Sequence, residues 1–238
     1  MLSSNIEEYD INIDINISEK QTIVVNLSKK TGCLTIIDNL NPISGESEPL
    51  LSLEICKEFN QPIILPDSLT CLKISGEYNQ PIIIPNSLIQ LYISGEFNQP
   101  IIIPDSLIRF EISGEYNQPI ILPDSLETLF ILGEYNQSII LPDSLELLYI
   151  SGEFNQPIII PDNLIYFVIS GEFNQPIILP DRLTRLKISG EFNQPIILPD
   201  ILRYVEISGK FNQPIILPDN ICLINLDIEY SERRDPIQ

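Results

Sequence analysis

The chain has 238 residues, and its 33 acidic and 13 basic side chains give a formal net charge of −20. It contains no Ala, His or Trp, but its 20 Pro and 10 Gly favour strands and turns over helices. The lack of His excludes Ser-His-Asp and Cys-His catalytic arrangements and His-ligated zinc. The acidic excess disfavours nucleic acid and anionic membranes as partners, while 44% apolar residues suffice for a buried core.

Residues 1–30 are predicted to form a β cap. From Tyr9 to Ile17, apolar residues alternate strictly with polar ones, which is the pattern of a strand with one buried face. A second apolar run at residues 23–27 follows a short polar segment, so the two runs together indicate a β-hairpin. A hairpin at this end would cover the edge of a sheet that otherwise invites aggregation.

Residues 31–49 are predicted to be a degenerate first coil of a repeating structure. Leu34 and Ile36 precede Leu53 and Ile55 by one full period of the repeat that follows. The segment also contains, at Leu40-Asn41-Pro42-Ile43, a degenerate copy of the phrase that marks each later unit. We therefore expect one irregular coil between the cap and the regular coils.

Residues 50–220 form nine tandem copies of a 19-residue unit with no insertion or deletion. The phrase Phe/Tyr-Asn-Gln-Pro-Ile-Ile marks the register, with Ser in place of Pro in one copy. Its Asn recurs at Asn60, Asn79, Asn98, Asn117, Asn136, Asn155, Asn174, Asn193 and Asn212. A fixed period of this length predicts a solenoid, in which each unit buries its apolar face against its neighbours. Residues 221–238 are predicted to supply a last capping strand and a polar tail.

Each unit predicts a short strand, a corner and a second wall. In the copy at residues 88–106, Leu91 and Ile93 point inward, and Gly95 gives the backbone freedom that a corner needs. The aromatic residue of the phrase fills the turn, and the Asn column should bond to the backbone of adjacent coils. Two Pro residues bracket a short extended Ile segment. The fold expected is all-β: a right-handed parallel β-solenoid of about ten coils with essentially no helix.

The unit resembles the FNIP repeat, a relative of leucine-rich repeats (LRRs), in the residues that surround its Asn. The matching positions in one copy are residues 95, 97–101 and 104–107, together with the Leu-x-x-Leu strand before them. The resemblance implies an LRR-like solenoid used for protein binding, of a kind found in social amoebae and in giant viruses that infect amoebae. Some FNIP proteins carry an F-box and are thought to be ubiquitin-ligase adaptors, whereas residues 1–30 here are too short and strand-like for one.

Variation among the copies concentrates on the outward positions of the strand, which predicts a protein-binding face. These positions are Lys73, Gln90, Tyr92, Arg109, Glu111, Phe130, Leu147, Tyr149, Tyr166, Val168, Arg185, Lys187, Tyr204 and Glu206. The central aromatic and aliphatic residues would form an exposed patch with a charged rim, as at protein interfaces. The alternative is that these side chains only stack along the sheet and stabilise it.

Two columns of identical residues raise further alternatives. Glu recurs once per coil from Glu58 to Glu191, and such a ladder is either solvated and capped by backbone donors or neutralised by weakly bound cations. An Asp column that Asn86 interrupts is interpreted as turn chemistry. The middle Ile of each Ile segment is either buried or part of an exposed stripe. An exposed stripe would favour a homodimer or a self-associating rod.

The sequence shows no catalytic constellation, so we expect a non-enzymatic scaffold without a cofactor or a metal. The carboxylates follow the repeat, no phosphate-binding glycine loop occurs, and the four cysteines lack a metal-binding spacing. A reactive Cys71 is a minor alternative. Free thiols, the absence of a signal peptide and the absence of a long apolar run predict a cytoplasmic protein, in the host cytoplasm if the source is viral. The expected partner is an unidentified protein.

Overall fold

The structure is a computed structural model that describes residues 24–27, 34–37, 39–40, 47–48, 52–55, 59–219 and 221–226. These residues are all-β, with no helix among them. The strands are β1 (Val24–Leu27), β2 (Leu34–Ile37), β3 (Asn39–Leu40), β4 (Ser47–Glu48), β5 (Ser52–Ile55), β6 (Ile63–Ile64), β7 (Cys71–Ile74), β8 (Gln90–Ile93), β9 (Arg109–Ile112), β10 (Thr128–Ile131), β11 (Leu147–Ile150), β12 (Tyr166–Ile169), β13 (Arg185–Ile188), β14 (Tyr204–Ile207) and β15 (Leu223–Leu226).

One parallel sheet runs the length of the repeat, in the order β15-β14-β13-β12-β11-β10-β9-β8-β7-β5. Paired residues occupy the same position of successive units, as in the pairing of Leu148 with Leu129 and with Phe167. In the strands of this sheet from β5 to β14, the second and fourth residues are buried, because side chains alternate across a pleated strand. The predicted all-β parallel solenoid is therefore confirmed.

A column of aromatic rings fills the interior next to the corner. Eight of these residues are at most 1% exposed: Tyr78, Phe97, Tyr116, Tyr135, Phe154, Phe173, Phe192 and Phe211. Neighbouring ring centroids lie 5.9 to 6.3 Å apart, and their planes differ by only 1° to 9°. Because equivalent rings remain nearly parallel, each coil is closely aligned with the next. The expectation that the aromatic residue fills the turn is confirmed.

The glycine corner brings the backbones of successive coils into direct contact. Gly152 has a φ of 76°, in the left-handed region that favours glycine. A Cβ atom on Gly152 would lie 2.2 Å from the backbone O of Gly133. The backbone N–H of Glu153 donates to that same oxygen at 2.9 Å. Glycine is therefore required here by both the backbone conformation and the spacing of the coils.

The Asn column links the coils by hydrogen bonds, as the sequence predicts. The side-chain Oδ1 of Asn136 accepts from the backbone N–H of Asn155 at 3.0 Å and from Nε2 of Gln156 at 3.1 Å. The same pair of bonds joins other coils; for example, Oδ1 of Asn79 accepts from the backbone N–H of Asn98 and from Nε2 of Gln99. Since the chain bends at this point, an amide side chain replaces the strand ladder as the acceptor.

The second wall of the solenoid is extended, but a hydrogen-bonded sheet does not continue along it. After β6, the described Ile segments carry no strand assignment, although their residues alternate between buried and exposed. Pro at both ends of these segments, except at Ser138, explains the difference, because Pro has no N–H to donate to a neighbouring coil. The coils are thus bonded through one sheet, one corner and the Asn column.

The predicted domain boundaries at residues 30, 49 and 220 stay predictions, as does the right-handed winding. Strand β1 runs antiparallel to β2, and β2 runs parallel to β6 rather than alongside β5. The first predicted strand of the hairpin, at Tyr9 to Ile17, and the polar tail lie outside the described residues.

Candidate protein-interaction surfaces

The fourteen residues predicted as a binding face all lie on the outward side of the main sheet. They occupy the first or third position of strands β7 to β14, and we call this surface the variable face. The sheet places them in two adjacent columns, because each position pairs in register with its equivalent in the next unit. The variable face therefore exists as one continuous surface.

The centre of the variable face is more covered than the expected exposed patch. Val168 is only 2% exposed, between the larger Tyr149 and Lys187 with which it is paired in register. The rings of Phe130 and Tyr149 stack with their centroids 5.8 Å apart, and both residues are half-buried. In-register strands bring these side chains so close that they cover one another. The centre thus has part of its apolar surface already buried.

Arg109 is held between two aromatic rings of the variable face. Its guanidinium carbon lies 4.6 Å from the ring centroid of Phe130 and 5.6 Å from that of Tyr92. On the same strand, Oε2 of Glu111 lies 3.9 Å from Nη2 of Arg109. The Nε of Arg109 is buried and has no hydrogen-bond partner among the described residues. Stacking against the rings favours this position, since a guanidinium is attracted to the face of an aromatic ring.

The charged residues of the face partly neutralise each other across neighbouring strands. Lys73 pairs with Glu54 at 2.7 Å, and Lys187 pairs with Glu206 at 2.9 Å. The hydrogen bond from Lys187 to Glu206 raises the pKa of this lysine above its ordinary value. These pairs are exposed, so each contributes little to stability.

The C-terminal part of the variable face is more exposed than its centre and carries arginines without a carboxylate partner. The guanidinium of Arg185 lies 5.1 Å from the ring centroid of Tyr204, which is 40% exposed. Beside them are Arg182 and Arg203, both exposed. Within the described ranges, none of the three arginines has an ion pair, and Arg182 instead donates to Oδ1 of Asn163 at 2.6 Å.

The sequence reasoning missed three residues of this region, Arg182, Ile201 and Arg203. A signal was present, because Arg182 and Ile201 replace the Ser that most earlier units carry at the turn before the strand. Arg203 likewise stands in a column that otherwise holds Thr, Ile, Leu or Glu. The predicted face takes residues only from the third and fifth positions of the unit, although the second position, which holds Arg203, varies as well.

The Glu column lies exposed along the corner from Glu77 to Glu191. Lys210, which replaces Glu in the last unit, pairs with Glu191 at 2.7 Å. In the part of the chain that the structure describes, no group of three or more His, Cys, Asp or Glu side chains is arranged to hold a metal ion. Cys71 is a half-buried free thiol and Cys222 is exposed, while Cys33 and Cys56 lie outside the described residues.

The structure decides between the two alternatives for the middle Ile of each segment, in favour of an exposed stripe. We call this stripe the isoleucine ridge, and its members are 88% to 90% exposed: Ile83, Ile102, Ile121, Ile140, Ile159, Ile178, Ile197 and Ile216. The two neighbours of Ile140 in its segment, Ile139 and Leu141, are buried at 7% and 9% exposure. The ridge is therefore the outward side of the second wall.

The model of the FNIP repeat matches the chain at residues 59–96, 97–133 and 173–210, each of which contains two of the 19-residue units. The chain contains FNIP repeats. The FNIP units supply the main sheet, the corner and the ridge described above. Among curated proteins, none is significantly similar to the chain in sequence.

Similarity to a solved LRR structure supports the LRR-like architecture of the chain. The chain is similar to CroV588, a circular LRR protein of a giant virus, with 32% sequence identity and a TM-score of 0.65. The alignment covers 77% of this chain but 34% of CroV588, so the FNIP chain spans about a third of that protein. Among the residues that the structure describes, none forms a helix with the length and apolarity that crossing a bilayer requires.

Proposed function

We propose that the protein is a non-enzymatic recognition scaffold that binds a partner protein on the variable face. The proposal rests on the difference between the invariant and the variable positions of the unit. The Gly, Asn, aromatic and Leu columns are nearly invariant and hold the coils together, while residues of the variable face differ from coil to coil. A repeat scaffold gains specificity where its units differ, because the invariant positions present the same surface in every coil.

The C-terminal part of the face offers the most accessible groups for such a partner. Arg182, Arg185 and Arg203 lie on two adjacent coils together with Tyr204 and Ile201, the latter 48% exposed. Arg and Tyr are enriched among the residues that dominate binding energy in protein interfaces. Since these arginines have no carboxylate partner among the described residues, an acidic surface on the partner would satisfy them.

The proposal is tested with the double substitution Arg185→Thr and Arg203→Thr. Thr occurs at these two positions in other units, at Thr128 and Thr184, so the change keeps the repeat intact. The matched control is Glu127→Thr, in the column of Arg203 but four coils away and outside the variable face. Both variants are immobilised beside the unchanged chain for quantitative capture of proteins from cytoplasm, followed by mass spectrometry.

We expect a defined set of proteins to be captured by the unchanged chain and by the control, and at least tenfold less of it by the double variant. The captured proteins should then bind in purified form with an affinity that falls as salt rises, since the contacts are charged. Equal capture by all three proteins would remove the support for recognition at this part of the face. Circular dichroism of each variant establishes that the fold is retained.

A further inference from the structure

The isoleucine ridge is a continuous apolar surface that the fold leaves uncovered. Its eight members stand one coil apart along the wall opposite the main sheet. Each exposes roughly 100 Å² of apolar surface, so the ridge presents about 800 Å², more than the largest apolar patch of a typical monomer. This area matches what one partner buries in an interface of standard size.

Grooves separate the last four members of the ridge, from Ile159 to Ile216. The groove between Ile159 and Ile178 has a volume of about 540 Å³, and the next two, on either side of Ile197, have about 400 and 440 Å³. Ile and Pro side chains line each groove, with residues of the Asp column along one edge. On this part of the second wall, exposed Ile side chains therefore alternate with apolar grooves, with one of each per coil.

We propose that the ridge binds the ridge of a second copy of this chain, with the Ile side chains of each copy seated in the grooves of the other. A partner that fills these grooves must carry apolar groups at the same one-coil spacing over several coils. Another copy of this solenoid meets that requirement, because its own ridge has the same spacing. Interdigitation of identical side chains gives a dry interface between stacked β structures.

The alignment of successive coils and the charge of the protein support this choice of partner. Since equivalent aromatic rings of adjacent coils differ in orientation by 1° to 9°, neighbouring members of the ridge stay in line. A lipid surface is disfavoured, because Asp side chains line the grooves and cytoplasmic membranes are themselves negatively charged. The ridge lies on the wall opposite the variable face, so pairing of two ridges leaves the variable face free for a partner protein.

Sedimentation equilibrium of the full chain at physiological ionic strength tests the proposal. We expect a reversible dimer with a dissociation constant in the micromolar range. The triple substitution Ile121→Ser, Ile140→Ser and Ile159→Ser should weaken it at least about 100-fold. The matched control is Ile89→Ser with Ile108→Ser, two residues that are 38% and 37% exposed beside the main sheet. The control should dimerise like the unchanged chain.

Ionic strength provides a second readout with a defined sign. Two copies of charge −20 repel each other, so lowering the salt tenfold should raise the dissociation constant at least about tenfold. A dimer that tightens at low salt would be held by charges and would overturn the proposal. So would a strict monomer at the highest concentration reached, or a triple variant that dimerises normally.

Disulfide formation locates the contact. With Ile140→Cys, mild oxidation should join two copies, because the same residue of each ridge lies close to the interface. Ile108→Cys serves as the control, since it keeps the native cysteines and places the new thiol beside the main sheet. Cross-linking above this control supports contact through the ridge, and equal cross-linking of both variants counts against it.

Discussion

Replacing Gly152 by Ala tests whether the close backbone contact at the corner holds the solenoid together. The new Cβ would lie 2.2 Å from O and 2.6 Å from N of Gly133, well inside the shortest ordinary contact distance. Both contacts are with backbone atoms, so a side-chain rotation cannot relieve them. The two coils must therefore separate by about 1 Å at this corner, where adjacent strands otherwise lie about 5 Å apart.

The expected loss follows from two contributions and one offset. A left-handed backbone costs an L-residue about 1 to 2 kcal/mol. Separating the coils weakens the bond from the N–H of Glu153 to O of Gly133, now 2.9 Å long. Leaving these groups unpaired costs about 1 to 3 kcal/mol. The lower entropy of the unfolded Ala variant offsets at most about 1 kcal/mol, so the net loss in the free energy of unfolding is about 1 to 5 kcal/mol.

Urea denaturation followed by far-ultraviolet circular dichroism measures this loss. Ser151→Ala is the matched control, because it adds no Cβ and makes no new demand on the backbone, and its effect should stay below about 1 kcal/mol. In a solenoid, a weakened coil can also let the two ends unfold separately, so the transition of the Gly152→Ala variant should broaden or split. A loss equal to that of the control would refute the argument from the corner contact.

Three further predictions concern other columns of the unit. Asn136→Ala should cost about 1 to 3 kcal/mol in urea unfolding because the N–H of Asn155 loses its acceptor, whereas Asn136→Asp, which keeps an acceptor oxygen, should lose less than half as much. Leu148→Ala, at a fully buried position, should cost about 2 to 5 kcal/mol, while Ile140→Ala on the ridge should stay within about 0.5 kcal/mol; equal losses would contradict the assigned burial. Burial raises the pKa of Tyr135 to about 12, and the folded state keeps this proton after the unfolded state loses it near pH 10. Stability should therefore fall between about pH 10 and 12, and Tyr135→Phe should reduce that fall in alkaline unfolding curves.

The tyrosine prediction has a structural basis in the aromatic column. The hydroxyl groups of Tyr116 and Tyr135 are buried, and neither has a hydrogen-bond partner. Their rings stack at 6.3 Å, and burial, followed by the neighbouring Tyr135, raises the pKa of Tyr116 as well. Phe occupies the same column in other coils, so the hydroxyl is not needed for packing. Tyr135→Phe should accordingly leave stability at neutral pH unchanged or slightly higher.

The two candidate surfaces differ in how much of them the structure leaves open to a partner. At the centre of the variable face, side chains already contact one another: Phe130 stacks on Tyr149, and the guanidinium of Arg109 packs against the ring of Phe130. The isoleucine ridge makes no comparable contacts with the residues that the structure describes, since its side chains are almost fully exposed. Different substitutions test the two surfaces, so a loss of partner capture can be distinguished from a loss of self-association.

Much of the architecture could be predicted from the sequence because a repeat reports the same structural requirement in every copy. The columns of Leu91, Phe97 and Asn98 showed which side chains point inward, fill the turn and bond to the next coil. A glycine that recurs once per unit marked the corner, where the backbone has a positive φ. Such local requirements depend on residue type and spacing, which a one-dimensional pattern contains in full.

Only the tertiary structure decided how exposed each outward residue is. Sequence alternation placed Val168 and Tyr149 on the same side as Arg185, but it could not show that in-register neighbours bury the first and half-bury the second. It also left the middle Ile undecided, because an alternating pattern gives relative orientation and not which side meets the core. The side that meets the core is fixed only when the coils close on the aromatic column, which leaves the ridge in solvent. Burial therefore depends on packing between units rather than on the sequence within one unit.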